Sequence, residues 1–116
     1  MPELPRPIPI TAGAICNALG NDWAGVSASL RSGRSGLGPC PIALPFETCA
    51  GAVNLELPTL PPDLSGWSTR SAGIAAHMLA SLDPALARMR QRWRPERIAV
   101  LLGTSTAGAD ATEAAY

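Results

Sequence analysis

The residues with the clearest chemical potential form a small polar loop after an apolar run near the C-terminus. Gly103 and Gly108 have the GxxxxG spacing of a phosphate-binding loop. In such a loop Lys and then Ser or Thr must follow, because these side chains hold the phosphates and a metal ion. Ala109 and Asp110 stand there instead. The sequence therefore excludes a nucleotide site of this kind.

The same loop approaches the GxSxG elbow, which exposes a nucleophilic serine between a strand and a helix. Ser105 stands at the centre, but Ala107 replaces the second glycine and no histidine follows as a base. We therefore favour the interpretation that small residues let a tight turn pack here. An esterase with Ser105 as nucleophile is the minor alternative.

Histidine and cysteine offer little further chemistry. His77 lies on an apolar helical face, and no acid–base partner stands near it in the sequence. Cys16, Cys40 and Cys49 are odd in number and lack CxxC spacing, which argues against a disulfide framework or a zinc ribbon. We expect them to be small apolar fillers, and we expect neither a metal site nor a cofactor.

Basic residues cluster before the apolar run. The cluster, called here the Arg stripe, contains Arg88, Arg90, Arg92, Arg94 and Arg97, with Trp93 among them. Such a cluster can contact phosphates or an acidic partner protein. A solvated helix face, whose arginine stems cover apolar surface, is the preferred alternative. The formal net charge of zero predicts no binding to nucleic acid or to a membrane.

The first half of the chain predicts two strands and a helix. Ile-rich residues 7–16 favour a short strand. Asn21 or Asp22 should cap a helix that ends near Ser32 and Gly33. Its apolar face should consist of Trp23, Val26 and Leu30. Residues 34–45 indicate an ordered loop, and residues 46–57 a strand centred on 50–55.

The second half predicts two helical segments and a buried strand. A helix should begin near Ser68, restart at Asp83 and Pro84, and end before Pro95. Residues 97–103 form a continuous apolar run, which is typical of a parallel strand buried on both faces. A further helix should start before Tyr116. Strands alternating with helices predict an α/β layered fold.

Length and composition fit a single domain. The chain has 116 residues, of which 47% are hydrophobic and only 16% charged, so intrinsic disorder is a poor overall description. No signal peptide and no membrane-spanning run is evident. We therefore expect a soluble protein in a reducing, cytoplasmic setting.

Three stretches together resemble the N-terminal part of the β-ketoacyl-acyl-carrier-protein synthases, condensing enzymes with a thiolase-like layered α/β/α fold. They are residues 10–20, residues 23–36 with an L-x-x-G-x-S-G ending, and residues 97–108. Ser-Thr-Arg at 68–70, together with GTSTAG, is most similar to the synthases of aryl-polyene-type clusters. The resemblance implies that residues 1–116 are the N-terminal part of a synthase domain, truncated before its catalytic cysteine.

The family catalyses decarboxylative Claisen condensation of an acyl thioester with malonyl-acyl-carrier protein, in fatty acid or polyene and polyketide biosynthesis. The resemblance implies that its cysteine and two histidines lie downstream of this chain, which should be inactive alone. It implies an acyl-carrier-protein partner, and a homodimer or ketosynthase heterodimer when intact. The residues that it suggests for shaping the acyl pocket are Thr104, Ser105, Thr106 and Gly108.

Two further expectations follow. The isolated chain should expose an apolar face and an unpaired sheet edge, because the elements that cover the sheet in the family are missing. The competing interpretation is a stand-alone, non-catalytic module that binds an acidic partner, such as a carrier protein, through the Arg stripe at 88–97.

Overall fold

Three helices and one small sheet make up the regular structure of the described chain. The computed structural model describes residues 7–105 and 107–116. Its elements are α1 (Trp23–Arg31), β1 (Leu37–Pro39), β2 (Cys49–Gly51), α2 (Arg70–Arg92) and α3 (Ala109–Ala115), with 3-10 turns at Pro62–Trp67 and Pro95–Arg97. The mixture of helix and sheet agrees with the α/β expectation in this coarse sense.

Helix α1 begins and ends where its capping residues predict. The Asp22 carboxylate accepts a hydrogen bond from the Gly25 backbone N–H at 2.7 Å, which satisfies a free donor of the first turn. Gly33 follows the helix with a φ of 67°, a conformation that glycine adopts without a steric penalty. Both predicted ends are therefore confirmed.

The buried face of α1 differs from the predicted one. Val26 is only 3% exposed, as expected, and its buried companion is Ser29, also 3% exposed. Trp23 and Leu30, the other predicted members of the face, are 58% and 65% exposed. This part of the prediction was wrong. The neighbour of α1 is a backbone turn, to which the small hydroxyl side chain of Ser29 can donate a hydrogen bond. The apolar periodicity of α1 did not reveal this neighbour.

Helix α2 runs unbroken for 23 residues. Its N-cap is Thr69, whose hydroxyl accepts from the Ala72 backbone N–H at 3.2 Å. The predicted restart at Pro84 was wrong, because the helix continues through that proline. Pro84 and Ala80 are both exposed, so water can satisfy the Ala80 carbonyl that proline leaves without a donor. The predicted end before Pro95 is confirmed.

The sheet is an antiparallel pair rather than a parallel layer. Strands β1 and β2 pair with Leu37 opposite Gly51 and Pro39 opposite Cys49. The predicted loop at 34–45 therefore contains a strand, and the predicted strand at 46–57 is reduced to three residues. A short connection can join antiparallel strands, whereas parallel strands require a long crossover.

Two predicted strands are not formed. Within the described residues, neither 7–16 nor 97–103 contains a strand. An isolated bridge pairs Asn17 with Gly20, just after the first of these segments. Val100, Leu101 and Leu102 are 90%, 91% and 89% exposed, so the prediction of a strand buried on both faces was wrong. A buried strand needs neighbouring strands and covering helices, and no described strand pairs with residues 100–102.

The chain leaves an unusually large surface in contact with solvent. Its accessible surface is 10285 Å², whereas a folded monomer of 12.0 kDa is expected to expose about 6,000 Å². The radius of gyration is 18.3 Å, against about 13 Å for a compact chain of this length. The exposed side chains include large apolar ones, among them Ile8, Ile10, Leu101 and Leu102. No helix in the described part of the chain is long and apolar enough to cross a membrane.

Candidate functional site

Asn21 joins three distant segments of the chain. Its side-chain Nδ2 donates to the Asn54 carbonyl at 2.9 Å, and its Oδ1 accepts from the Cys16 thiol at 3.7 Å. Its backbone carbonyl lies 3.1 Å from His77 Nε2, which can donate to it. Asn21 therefore holds the turn before α1 against both the 54 region and α2. Sequence reasoning assigned it only a possible capping role.

A second polar contact fixes the same turn to α1. The buried Ser29 hydroxyl donates to the Leu19 carbonyl at 2.7 Å. The Arg34 guanidinium donates to that carbonyl at 2.6 Å through Nη2, and to the Ser29 oxygen at 3.0 Å through Nε. We call Leu19, Asn21, Ser29, Arg34 and His77 the polar junction. Ser29 and Arg34 bond to each other and to Leu19, whereas Asn21 bonds to His77 and to residues outside the junction.

The contacts of the polar junction connect the turn before α1 with both long helices. His77 Nε2 lies 3.1 Å from the backbone carbonyl of Asn21 and so links α2 to that turn. Cys16 is half-buried and Cys49 is exposed; both are free thiols, as is Cys40. In the described part of the chain, no three His, Cys, Asp or Glu side chains are grouped to hold a metal ion.

The loop that the resemblance singled out lies open to solvent. Thr104 and Ser105 are exposed, and Thr106 lies outside the described residues. Gly108 has a φ of 85° and precedes α3. Its carbonyl accepts from the Thr112 backbone N–H at 3.0 Å and from the Thr112 hydroxyl at 3.1 Å. Of the described loop residues, Gly108 therefore caps the beginning of α3.

The Arg stripe surrounds an aromatic ring. The guanidinium carbons of Arg92 and Arg97 lie 5.2 and 5.9 Å from the centre of the Trp93 ring, within cation–π distance. All five arginines are exposed. Trp93 also lines an open cavity of about 360 Å³ with Arg90, Pro95 and Ile98. The stripe thus combines positive charge with an apolar surface, as both of its interpretations require.

A larger cleft adjoins the stripe. Residues 11–12 lie opposite the second half of α2 and enclose an open cleft of about 600 Å³. Leu82, Leu86 and Met89 form its apolar wall, while Arg88 and Arg92 also line it. The side chains on this part of α2 therefore present a mixed apolar and basic surface.

Comparisons with known proteins identified no relative of this chain. No protein-family model, no curated protein and no solved structure matches the chain.

Proposed function

We propose that this chain is the N-terminal part of a β-ketoacyl-acyl-carrier-protein synthase of the thiolase-like fold. The observation that carries the proposal is the order of three sequence stretches, at 10–20, 23–36 and 97–108, each similar to the corresponding part of the family. The cap at Asp22 and the glycine end at Gly33 support the second stretch, because they bound a helix where the resemblance requires one.

The distribution of apolar surface supports the same proposal. Ile8 and Ile10 are 92% and 93% exposed, and the run at 100–102 is equally exposed. In a thiolase-like sheet, covered by helices, both segments would be buried strands. Their solvation here fits a piece of polypeptide whose covering layers are supplied by more protein.

The proposed activity belongs to the intact synthase. Its cysteine thiolate would take the acyl group from an acyl thioester, whose thiolate leaves, and its two histidines would assist loss of CO₂ from malonyl-carrier protein. The resulting carbanion would attack the thioester carbonyl, forming the new carbon–carbon bond and releasing the thiolate. Acyl-carrier protein would be the partner, and the cytoplasm the setting. Thr104, Ser105, Thr106 and Gly108 would shape the acyl pocket.

The decisive test is the reading frame beyond Tyr116. We expect it to continue into a cysteine flanked by small residues and then into two histidine motifs. The joined protein should release CO₂ from malonyl-carrier protein in the presence of an acyl thioester, whereas the 116-residue chain should release none. A frame without these residues, or a joined protein without condensation activity, would contradict the proposal.

A second candidate function is supported by the Arg stripe alone. Five exposed arginines lie between positions 88 and 97, with Glu96 as the one carboxylate in that interval. The adjoining apolar cleft gives an acidic protein helix both charge and apolar contact. The chain would then be a non-catalytic module that binds an acidic partner, such as a carrier protein.

Titration of the chain with acyl-carrier protein tests this second function. We expect binding that weakens steeply as salt rises, and at least about a fivefold loss when Arg90 and Arg92 are both changed to Ala, since each interfacial charge contributes modestly. Arg31→Ala is the matched control, because Arg31 is exposed at the end of α1. Equal losses in the double variant and in the control would exclude the stripe as the binding site.

A further inference from the structure

We infer that Trp93 is the anchor of the binding surface beside α2, and that this surface takes the apolar face of an acidic amphipathic helix from the partner protein. This role rests on the second candidate function, and it adds the form of the partner and the residue that selects it. Two cavities that share the Trp93 side chain, and the charges around them, lead to it.

The Trp93 side chain borders two open cavities at the C-terminal end of α2. One has a volume of about 600 Å³ and includes the apolar wall of α2, whereas the other, of about 360 Å³, includes Pro95 and Ile98. Trp93 lines both cavities and is 44% exposed. Partner side chains that enter the two cavities would therefore bury aromatic surface, which contributes strongly to protein interfaces.

The apolar wall of the larger cavity has the spacing of one helical face. Leu82, Leu86 and Met89 lie at i, i+4 and i+7, and all three are half-buried. Trp93 follows α2 directly and continues this row. The row is about 16 Å long, because each helical residue rises about 1.5 Å. A partner helix of three turns matches this length and can pack leucines along it.

The charged residues that line the two cavities are all arginines within the described part of the chain. Arg88 and Arg92 line the larger cavity, and Arg90 lines the smaller one. The nearest carboxylates in the sequence, Asp83 and Glu96, belong to neither lining. A helix with leucines on one face and glutamates beside them therefore complements both the apolar row and the arginines.

The Trp93 ring is held in place before a partner binds. The guanidinium carbons of Arg92 and Arg97 lie 5.2 and 5.9 Å from the ring centre, so cation–π contacts restrict the side chain. A side chain that is ordered in the free protein loses less conformational entropy on binding. We therefore expect the loss of Trp93 to weaken binding more than the loss of any single arginine.

Peptide binding to the full chain tests this role of Trp93. The first probe is a labelled acidic peptide of about 15 residues, long enough to form a helix, with leucines at i, i+4, i+7 and i+11 and glutamates beside them. The second probe has the same composition, with its leucines spread around the helix. We expect the first peptide to bind at least about tenfold more tightly than the second, because only its leucines can reach the apolar row together.

Variants of two tryptophans locate the contact. Trp93→Ala should weaken binding of the first peptide at least about tenfold, whereas Trp93→Phe, which keeps an aromatic ring, should weaken it about threefold or less. Trp67→Ala is the matched control, because Trp67 is 75% exposed in the 3-10 turn Pro62–Trp67 and lines neither cavity. It should leave the affinity unchanged.

Salt separates the contribution of the ring from that of the arginines. Raising the salt concentration should weaken peptide binding by the same factor in the unaltered chain and in the Trp93→Ala variant, because Trp93 carries no charge. Changing Arg90 and Arg92 to Ala should instead reduce the dependence of binding on salt.

The outcomes distinguish this role from the second candidate function. Equal affinity for the two peptides, or equal losses in the Trp93→Ala and Trp67→Ala variants, would overturn the role of Trp93 and leave binding by charge in place. Binding of acyl-carrier protein without binding of either peptide would do the same. If neither acyl-carrier protein nor a peptide binds, both proposals fail. Binding to phosphatidylglycerol vesicles, with both peptides left free, would identify a lipid surface as the occupant and would also overturn the inference.

Discussion

The polar junction and the apolar run at 99–102 show how differently two parts of one small chain are held. At the junction, Asn21 and Ser29 bond to partners up to 56 positions away in the chain. In the apolar run, Leu101 is 91% exposed. The turn before α1 has hydrogen-bond partners within the chain, whereas the side chains of residues 100–102 lie in solvent.

The contrast teaches that apolar content alone does not order a segment. Residues 98–102 are more hydrophobic than the turn around Asn21, yet the turn is the better fixed of the two. A few side-chain hydrogen bonds to backbone carbonyls hold it, each contributing about 1 kcal/mol to stability. The apolar run at 99–102 gains nothing from its leucines until another surface removes them from water.

The largest expected effect on the stability of α1 comes from Gly20→Ala. A Cβ at position 20 would lie 2.7 Å from the Val26 backbone nitrogen and 2.8 Å from the Gly25 carbonyl carbon. Backbone atoms of α1 cannot move aside without disturbing the helix. We therefore expect the free energy of opening α1 to fall by about 2–3 kcal/mol. Amide hydrogen exchange of the α1 amides measures it. Gly38→Ala, with open space around its Cβ, should leave it unchanged.

Removing the hydroxyl of Ser29 should have the next largest effect. Ser29→Ala leaves the Leu19 carbonyl with one donor fewer in a site that is 3% exposed, and it removes an acceptor for Arg34. We expect a loss of about 1.5 kcal/mol from the opening free energy of α1, measured by the same exchange experiment. The control is Ser81→Ala, an exposed serine that bonds only within α2. Equal losses in the two variants would mean that the hydrogen bonds of Ser29 contribute no more to the stability of α1 than those of an exposed serine.

Asp22→Ala should lower the opening free energy of α1 by about 1 kcal/mol, because it removes the side-chain acceptor of the α1 N-cap. The loss should appear as faster exchange in the first turn of α1, at the Gly25 amide above all. Asp83→Ala removes an equally exposed carboxylate from the middle of α2 and should not alter exchange in α1. Unchanged protection of Gly25 in the Asp22 variant would contradict the capping assignment.

The smallest effect is expected in an extended segment. Ile10→Thr should change the opening free energy of α1 and α2 by less than about 0.5 kcal/mol, because Ile10 is 93% exposed and loses no packing. Exchange of amides across both helices measures the change. A loss above about 1 kcal/mol would show that Ile10 packs against other residues in solution.

Capping chemistry was predictable because each cap depends on residues within one turn. Asp22 and Gly33 identified the ends of α1, and proline at 95 identified the end of α2. The role of Asn21 was not predictable, because its partners at 54 and 77 are separated from it by 33 and 56 positions. The failure at Pro84 has a local cause: an exposed carbonyl can bond to water, so the helix survives the missing donor.

The candidate site also combines features that the sequence predicted with features that only the structure showed. The composition of the Arg stripe was evident from the sequence, and the arginines are exposed as a solvated face requires. The stacking of Arg92 and Arg97 on Trp93 depends on how the 3-10 turn at Pro95–Arg97 returns the chain towards α2. For Thr104 and Ser105, the sequence suggested a functional loop, and whether that loop borders an acyl pocket stays a prediction.

The sequence by itself determined where α1 begins and ends, where α2 ends, and which residues carry positive charge. These properties arise from interactions over a few positions, which residue types specify directly. Only the tertiary structure decided that Ser29 is buried, that Asn21 joins three segments and that residues 99–102 lie in solvent. Burial depends on which surfaces meet, and the apolar pattern of a strand specifies the need for a neighbour without specifying that one is present.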